Sequence, residues 1–422
     1  MFTSFSTALS ALSADSTAID VVGNNLANLN TPGFKTSEVC FRDLVTESLG
    51  AGLGETQVGF GTGQPLTVRE FTQGAIQTSS GLLDAAIQGD GFFVLKDGAG
   101  NTLYTRAGNF QTDSSGNLLT DTGDKVQGWT TIDPSTGQVD TNGPIGNIVV
   151  PVGSLKPPVT TTAVTADLNL NSGAAADTSS AFTTPITVYD SLGTSHVLTL
   201  GFQKTAANQW SYQVSIPGDD VSGGTAGTPF PISGASGTLT FNTAGQLTDP
   251  APGAPIALSI SGLSDGAADM TLAWNPYNSA GTGRITQFGQ PSASSASSQN
   301  GSGASQLDHV GLANGGQILA EYTDGTQVVV GQIALASIRN PASLIAAGDN
   351  NFHLSALTAN PSIGVPGTGG RGTVQGGATE ASTVDIASEF TNLIVYQRAY
   401  EANAHVVTTA DQLSQDTINL IH

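Results

Sequence analysis

The sequence predicts a mainly β protein with an α-helix at each terminus and two nested β domains, the outer inserted into the inner. Three observations support this fold class. Apolar residues recur at helical spacing in the first thirty and the last forty of 422 residues. Between them, short alternating runs are separated by Asp-Gly and Pro-Gly turns. The composition, with 53 Gly and 11% charged residues, suits β-rich extracellular or assembly proteins better than a cytosolic enzyme.

The N-terminal helix is predicted within residues 1–33. Its apolar side chains follow the three–four spacing of a coiled-coil seam. Such a stripe commonly packs on the chain's own core, but the middle of this chain offers few helices to receive it. The seam therefore favours contact with the other terminus or with neighbouring copies of the chain. The predicted assembly residues of this helix are Phe2, Phe5, Leu9, Leu12, Ile19 and Leu26.

The C-terminal helix is predicted within residues 384–422, which contain neither Gly nor Pro. Asp385 and Glu389 lie near its start, where negative charge complements the helix dipole. Together with the first helix it is expected to form a coiled-coil base. Its predicted assembly residues are Ile386, Phe390, Leu393, Tyr396, Tyr400, Val407, Leu413 and Leu420.

The middle of the chain divides into an extended region and two β domains. Residues 34–78 and 361–383 are predicted to form extended linkers or hairpins beside the helical base. Residues 79–150 and 285–360 are predicted to form the inner β domain, and 151–284 the outer β domain inserted into it. The Ser-, Gly- and Ala-rich stretch 291–305 is predicted to be a loop.

Charge and cysteine content exclude several classes of protein. The net charge of −21 repels phosphate backbones and anionic lipids, so nucleic acid is not an expected partner. The single cysteine, Cys40, rules out an intramolecular disulfide and is predicted to be a small buried apolar residue. No apolar run approaches the length that a membrane-spanning helix needs.

No residue pattern predicts catalysis, a cofactor or a metal ion. The match to GxGxxG at residues 367–372 lies in a Gly-rich linker rather than between a strand and a helix. A secreted hydrolase would require a carboxylate or nucleophile constellation that the sequence lacks. The histidines are scattered without a metal-binding motif and are expected to be surface or locally bonded residues: His196, His309, His353, His405 and His422.

Several motifs, in the right order, resemble those of bacterial flagellar rod and hook proteins. Residues 89–93, 104–110 and 397–404 are similar to the central and C-terminal motifs of this family. The resemblance covers roughly residues 1–130 and 285–422. Its N-terminal signature includes Asn24, Asn25, Asn28, Thr31, Gly33, Phe34 and Lys35. The asparagines are expected either to cap the helix end or to hydrogen-bond across a packed interface.

The resemblance implies a structural role without enzymatic activity. The insert at 151–284 indicates a hook subunit, because rod proteins lack so large an insert. Such a subunit would self-assemble into a curved hollow tube, a flexible universal joint that transmits torque from rod to filament. The terminal helices would form the inner core of that tube. A distal rod protein of the same family and a secreted β-rich adhesin are the alternatives.

The resemblance also implies partners and a location. The expected partners are further copies of the chain, the distal rod protein, the hook cap protein, the hook–filament junction proteins and the flagellar type III export apparatus. The expected location is the extracellular hook of the flagellum. No Lys or Arg precedes Lys35, so we expect export without a cleaved signal peptide.

Overall fold

The computed structural model describes residues 2–44, 46–48, 57–133, 136–253 and 255–419. The chain divides into two compact units. The first unit contains residues 1–152, 308–321 and 325–422, and the second contains residues 153–307 and 322–324. The predicted mainly β fold with a helix at each terminus is confirmed. None of the described helices is long and apolar enough to cross a lipid bilayer.

The elements of the first part of the chain are one long helix followed by short strands. They are α1 (Phe2–Ala27), β1 (Ser37–Cys40), β2 (Thr46–Ser48), β3 (Gln57–Gly59), β4 (Leu66–Arg69), β5 (Ile76–Thr78), β6 (Ala85–Gln88), β7 (Phe92–Lys96), β8 (Thr102–Thr105), β9 (Phe110–Thr112), β10 (Leu118–Thr120), β11 (Lys125–Trp129) and β12 (Gly146–Asn147).

The insert contributes longer strands. They are β13 (Leu155–Lys156), β14 (Ala163–Asn171), β15 (Phe182–Tyr189), β16 (Ser195–Ala206), β17 (Gln209–Pro217), β18 (Pro229–Phe241), β19 (Leu247–Asp249), β20 (Ile256–Ile260), β21 (Met270–Trp274), β22 (Ile285–Phe288) and β23 (Ala293–Gln299). Short 3₁₀ turns lie at Thr178–Ser180 and Gly218–Asp220.

The remaining elements return to the first unit and end in the second long helix. They are β24 (Ser305–Leu312), β25 (Gln317–Tyr322), β26 (Gln327–Ile333), β27 (Leu335–Ser337), a 3₁₀ turn (Pro341–Ser343), β28 (Ile345–Gly348), β29 (Asn351–His353), β30 (Ser362–Gly364), β31 (Thr373–Gly376), β32 (Ala378–Glu380) and α2 (Ile386–Asn419).

The first unit is built on an antiparallel sheet whose neighbours follow the order β25-β26-β11-β7-β8-β29-β28. Phe92, Tyr104 and Phe352 are almost fully buried in its core. Phe71 packs edge-on against both Phe92 and Phe352, with ring centroids 5.4 and 5.3 Å away. Tyr104 anchors the start of the 104–110 motif in this core.

The outgoing and returning segments of the first unit lie side by side. Strand β5 pairs antiparallel with β32, and β6 pairs antiparallel with β31. Strand β1, which follows the C-terminal end of α1 in the chain, pairs antiparallel with β4. The return segment 361–383 is therefore extended and held by strand pairing. Of the outgoing segment, residues 49–56 lie outside the described residues.

The second unit is a sheet with neighbours in the order β15-β16-β17-β18-β20-β21-β14-β22, and β23 pairs with β14. Strands β14 and β15 bury every second side chain along most of their length, as period-2 alternation requires. Trp210 and Trp274 are fully buried in its core. The indole Nε1 of Trp210 donates to Oε1 of Gln287 at 3.0 Å, which ties β22 to this core.

The insert extends further along the chain than the predicted boundary at 284. Strands β22 and β23 both pair with β14, so residues 285–307 belong with the second unit. The prediction of a loop at 291–305 is wrong for this reason. Strand β23 is exposed, so its Ser and Ala side chains need no apolar core, and the hydroxyls of Thr165 and Ser298 lie 2.8 Å apart. Composition alone hides such a strand.

Two further predictions need correction. Cys40, at the end of β1, is exposed rather than buried. Helix α1 ends at Ala27 rather than near 33, because the backbone N–H groups of Leu29 and Thr31 bond to carbonyls three residues back, at Leu26 and Asn28, in turns that leave the α-helical pattern.

Candidate functional site: the junction of the terminal helices

Helices α1 and α2 pack against each other in antiparallel directions. Nδ2 of Asn25 donates to Oε1 of Glu389 at 2.9 Å, and Nδ2 of Asn403 donates to Oδ2 of Asp15 at 2.9 Å. As the residue number rises along α1 from 15 to 25, the number of its partner on α2 falls from 403 to 389, so the two helices are antiparallel. The two termini therefore find each other, as the sequence favours.

The face that α1 buries is small and partly polar. Ala8, Ala18 and Val22 are buried on one stripe together with Asp15 and Asn25. Small side chains allow two helices to approach closely. Large apolar residues do not dominate this contact.

The predicted apolar seam of α1 lies beside the buried stripe. Phe5 is 40% exposed and Leu9 is 54% exposed. Leu12, Ile19 and Leu26 are half-buried. The side chain of Phe2 lies outside the described residues. The subunit thus leaves part of its most apolar helical surface without cover.

Helix α2 exposes apolar side chains along its whole length. Of its predicted assembly residues, Leu393, Tyr396 and Val407 are half-buried, and the ring of Tyr396 lies 5.9 Å from that of Phe41. Leu420 lies outside the described residues. The exposed large apolar residues of α2 are Ile386, Phe390, Ile394, Val395, Tyr400, Val406, Leu413 and Ile418. Four of these, Ile394, Val395, Val406 and Ile418, are not among the predicted assembly residues.

Five of the exposed apolar residues of α2 fall on two stripes. At about 100° per residue, Phe390 and Ile394 lie to one side of the face that meets α1. Val395, Val406 and Leu413 lie to the other side of that face. A helix that presents apolar side chains on several sides is one that becomes buried on several sides.

The asparagines of the N-terminal signature divide between the two expected roles. Nδ2 of Asn28 donates to the carbonyl of Asn24 at 2.9 Å, and Thr31 Oγ1 donates to Asn28 Oδ1 at 3.0 Å, so both act locally at the helix end. Asn25 is buried and acts across the packed interface. Its Nδ2 donates to the carbonyl of Ser37 at 2.8 Å, and its Oδ1 accepts from the N–H of the same residue at 3.1 Å. Asn25 thereby joins α1, β1 and α2.

A buried ionic cluster in the first unit is formed by Lys35, Glu380 and Arg106. Nζ of Lys35 is 2.6 Å from Oε1 of Glu380, and both side chains are fully buried. Nη1 of Arg106 lies 3.5 Å from Oε2 of Glu380, and its guanidinium carbon lies 5.2 Å from the centroid of Phe92. Burial lowers the pKa of Lys35, and the carboxylate of Glu380 opposes that shift. Two motifs distant in sequence, one with Lys35 and one with Arg106, thus meet at the carboxylate of Glu380 in β32.

Backbone groups complete the cluster. Lys35 Nζ also donates to the carbonyl of Thr72 at 2.5 Å, and Gly74 N–H donates to Glu380 Oε1 at 2.8 Å. The N–H of Gly33 donates to the carbonyl of Glu380 at 2.7 Å, and Phe34 is buried beside it. The signature residues Gly33 to Lys35 therefore hold the returning strand β32 in place through Glu380.

Replacing Gly33 with Ala is expected to destabilise the first unit by more than about 2 kcal/mol. Gly33 has φ of +69°, and a Cβ there would lie 2.7 Å from the backbone nitrogen of Ala107. Denaturant unfolding followed by circular dichroism at 222 nm reports this unit, because both long helices belong to it. The matched control is Gly98→Ala, where an added Cβ meets no heavy atom within 4 Å. Equal stability of the two variants would contradict the prediction.

The carboxyl group of Glu389 makes the helix junction sensitive to pH. It is buried, and Oε2 has no hydrogen-bond partner. Burial raises the pKa of Glu389, the Asn25 bond opposes this, and the charges of Glu38 and Asp385 raise it further. A raised folded-state pKa stabilises the fold below the unfolded pKa, near about 4.3, and this contribution is lost as pH rises through the folded pKa.

Glu389→Gln is therefore expected to stabilise the first unit by about 1 kcal/mol at neutral pH, with the advantage vanishing below about pH 4. Urea unfolding between pH 4 and 8, read at 222 nm, measures the difference. Glu401→Gln removes an exposed charge from the same helix and corrects for net charge. An advantage that grows as pH falls would refute the assignment.

Family models match along the chain in an order that follows these elements. The matching descriptions are Flagella basal body rod protein (5–35), Flagellar hook protein FlgE/F/G D1 domain (86–163), Flagellar basal body protein FlaE D2 domain (158–302) and Flagellar basal body rod FlgEFG protein C-terminal (375–420). The D2 match lies within the second unit, and the two terminal matches contain most of α1 and all of α2.

Full-length relatives are similar along essentially the whole chain. The flagellar hook protein FlgE of Borreliella burgdorferi is 34% identical over 445 residues, covering 100% of both chains. The FlgE proteins of Treponema pallidum and Escherichia coli K12 are each 32% identical, covering 100% and 99% of both chains. The crystal structure of Helicobacter pylori flagellar hook protein FlgE2 has a TM-score of 0.51 and 14% identity, covering 71% of this chain and 99% of its own. That likeness concerns the fold alone.

Proposed function

Because the chain belongs to the flagellar hook protein FlgE family, it is a structural subunit of the hook, and we propose that its terminal helices drive self-assembly into the tube. The expectation of a hook subunit rather than a rod protein or an adhesin is confirmed by this membership. The observation that carries the assembly proposal is the exposed apolar surface of α1 and α2.

That surface is suited to contacts with several neighbouring copies. Phe5 and Leu9 of α1 and both stripes of α2 flank the face on which the helices meet. A patch on one side of a subunit that fits a different patch on the next subunit makes a heterologous contact. Repeated heterologous contacts that do not close into a ring produce an open helical polymer. Each buried large apolar side chain contributes about 1.5–3 kcal/mol, so many weak sites suffice for a stable tube.

The buried junction supports this role by fixing the geometry of the helices within each subunit. Asn25 ties the helix pair to β1, and Lys35, Glu380 and Arg106 tie β32 to the motif strands. These contacts fix the direction in which the exposed apolar side chains of α1 and α2 point away from the rest of the first unit. We assign the predicted assembly residues to this surface, and the signature residues to its support.

The bending of the tube is proposed to use the second unit. Its surface is rich in Ser, Thr and Gly and low in charge, as in the exposed strand β23. Polar contacts with few ion pairs are small in energy and can be made and broken while the helical core stays intact. The same proposal includes the expected partners: the distal rod protein, the cap, the junction proteins and the type III export apparatus. It places the subunit outside the cell, without enzymatic activity.

Electron microscopy of the purified chain tests the proposal. Sulfate salts strengthen apolar burial and should promote polymerisation. We expect curved hollow tubes under these conditions, and tubes of the same diameter from a chain whose second unit carries surface substitutions. A chain that stays monomeric at every salt and protein concentration would overturn assembly by the helices. Uniformly straight tubes would overturn the role as a bending joint.

A further inference from the structure

The second unit assembles a group of metal-ligating side chains at one end of its sheet. Asp190 directly follows β15, His196 lies in β16, and Asp265 lies in the loop between β20 and β21. Asp190 is fully buried, His196 is 3% exposed, and Asp265 is about one-quarter exposed. In the sequence His196 looks isolated, because its partners are spread over the range 190–265.

The distances between the ligand atoms suit a small divalent cation. Nε2 of His196 lies 3.2 Å from Oδ2 of Asp190 and 3.9 Å from Oδ2 of Asp265. One ligand atom from each residue lies within 4.8 Å of the other two. Tetrahedral zinc, with ligands at about 2.0–2.2 Å, separates its ligand atoms by about 3.3–3.6 Å. Small side-chain shifts reach that geometry.

We propose that Asp190, His196 and Asp265 bind a divalent transition-metal ion, with zinc as the best fit. One imidazole nitrogen and two carboxylate oxygens form a ligand set that zinc accepts, with a fourth position left for water. The proposal stands independently of the assembly function assigned to the terminal helices.

A second group of contacts orients these ligands. Nδ1 of His196 lies 3.0 Å from Oδ2 of Asp220. A carboxylate that accepts the Nδ1 proton leaves Nε2 with its lone pair directed at Asp190 and Asp265, and metal-binding histidines commonly have such a partner. Oδ1 of Asp190 accepts from the N–H groups of Leu192 and Thr194 at 2.8 and 2.9 Å. Its Oδ2 remains on the side of the imidazole.

Charge balance favours a cation at this point. Asp190, Asp220 and Asp265 surround one imidazole, and a protonated His196 would neutralise only one of the three carboxylates. A divalent ion between Asp190 and Asp265 would neutralise those two carboxylates while a neutral His196 binds it through Nε2, and Asp220 accepts the Nδ1 proton. Bound there, it would join the turn after β15, the 3₁₀ turn Gly218–Asp220 and the loop before β21, and so brace one end of the second unit.

The test uses the full-length chain, stripped with EDTA and titrated with ZnCl₂ in a calorimeter. We expect one ion per chain and an unfolding temperature of the second unit raised by roughly 5–10 °C at about 100 times Kd. Asp265→Asn changes a partly exposed ligand and should leave the fold intact. We expect Asp265→Asn and His196→Asn each to weaken zinc binding by at least about 100-fold. Asp220→Asn, which changes only the partner of His196, should weaken it by about 10–100-fold.

The matched control is His309→Asn, which changes an exposed histidine that also lies beside two acids, Asp308 and Glu321. Zinc binding should be unchanged in this variant. Substitution of Co²⁺ should give the intense visible absorption of a four-coordinate site, absent in Asp265→Asn. If zinc binds the wild type no better than His196→Asn, or if Asp265→Asn retains full affinity, the cluster is an ion-pair network and the proposal is overturned.

Discussion

Replacing Lys35 with Met is expected to lower the free energy of unfolding of the first unit by about 3–5 kcal/mol, because it leaves the buried carboxylate of Glu380 without its closest counter-charge. Lys35 also gives up its bond to the carbonyl of Thr72. Arg106, at 3.5 Å, is too distant from Glu380 to replace a bond of 2.6 Å. Denaturant unfolding followed at 222 nm measures the loss through the two long helices.

Two comparisons sharpen this prediction. Glu380→Gln preserves the shape of the side chain and is expected to destabilise by a similar amount, since Lys35 and Arg106 then lack a buried counter-charge. The half-exposed pair of Arg284 and Asp167 in the second unit provides the control. Breaking it is expected to change stability by only about 0–1 kcal/mol, read by the fluorescence of the buried tryptophans there. A loss below about 1 kcal/mol for Lys35→Met would contradict the assigned role.

Replacing Phe390 and Leu413 together with Ser is expected to raise the critical concentration for polymerisation by about 10³-fold, while the monomer keeps its fold. The two side chains are 52% and 54% exposed, so the free subunit loses little packing. In the proposed tube each would bury apolar surface against a neighbour at about 1.5–3 kcal/mol per side chain, and 1.4 kcal/mol is a factor of ten. Light scattering across a concentration series gives the threshold.

The control for this pair is Leu192→Ser with Leu357→Ser. These leucines are 58% and 82% exposed and lie outside the terminal helices. The control variant should polymerise at the wild-type concentration, and circular dichroism should show the same helix content for all chains. Polymerisation of the Phe390 and Leu413 variant at the wild-type threshold would refute assembly through the stripes of α2.

Much of the fold could be predicted from local patterns. Three–four spacing identified both terminal helices, and turn dipeptides with alternating residues identified most β segments. Strand β23 could not be predicted, because its Ser and Ala side chains show no alternation of apolar and polar residues. It is defined by its pairing with β14. The end of the insert was misplaced for the same reason.

The candidate site was only partly predictable, because its decisive contacts join residues far apart in the chain. The seam from Phe5 to Leu26 was visible as a stripe, but periodicity does not tell which neighbouring face α2 occupies. The structure places the small residues Ala8 and Ala18 in the buried stripe and leaves Leu9 exposed. Similarly, Lys35 was visible as part of a motif, yet nothing local indicates Glu380 as its partner, 345 residues away. The cluster around His196 could not be predicted for the same reason, since Asp190 and Asp265 are 75 positions apart in the chain.

That distance between Lys35 and Glu380 has a consequence for timing. The two residues are 345 positions apart, so their ion pair can close only when the two ends of the chain have been brought together. Until then the lysine has no buried acid to meet, and closing so long a loop is intrinsically slow. The ion pair is therefore expected to form late in folding, after the local strand pairs, so the arrangement of the terminal helices is completed last.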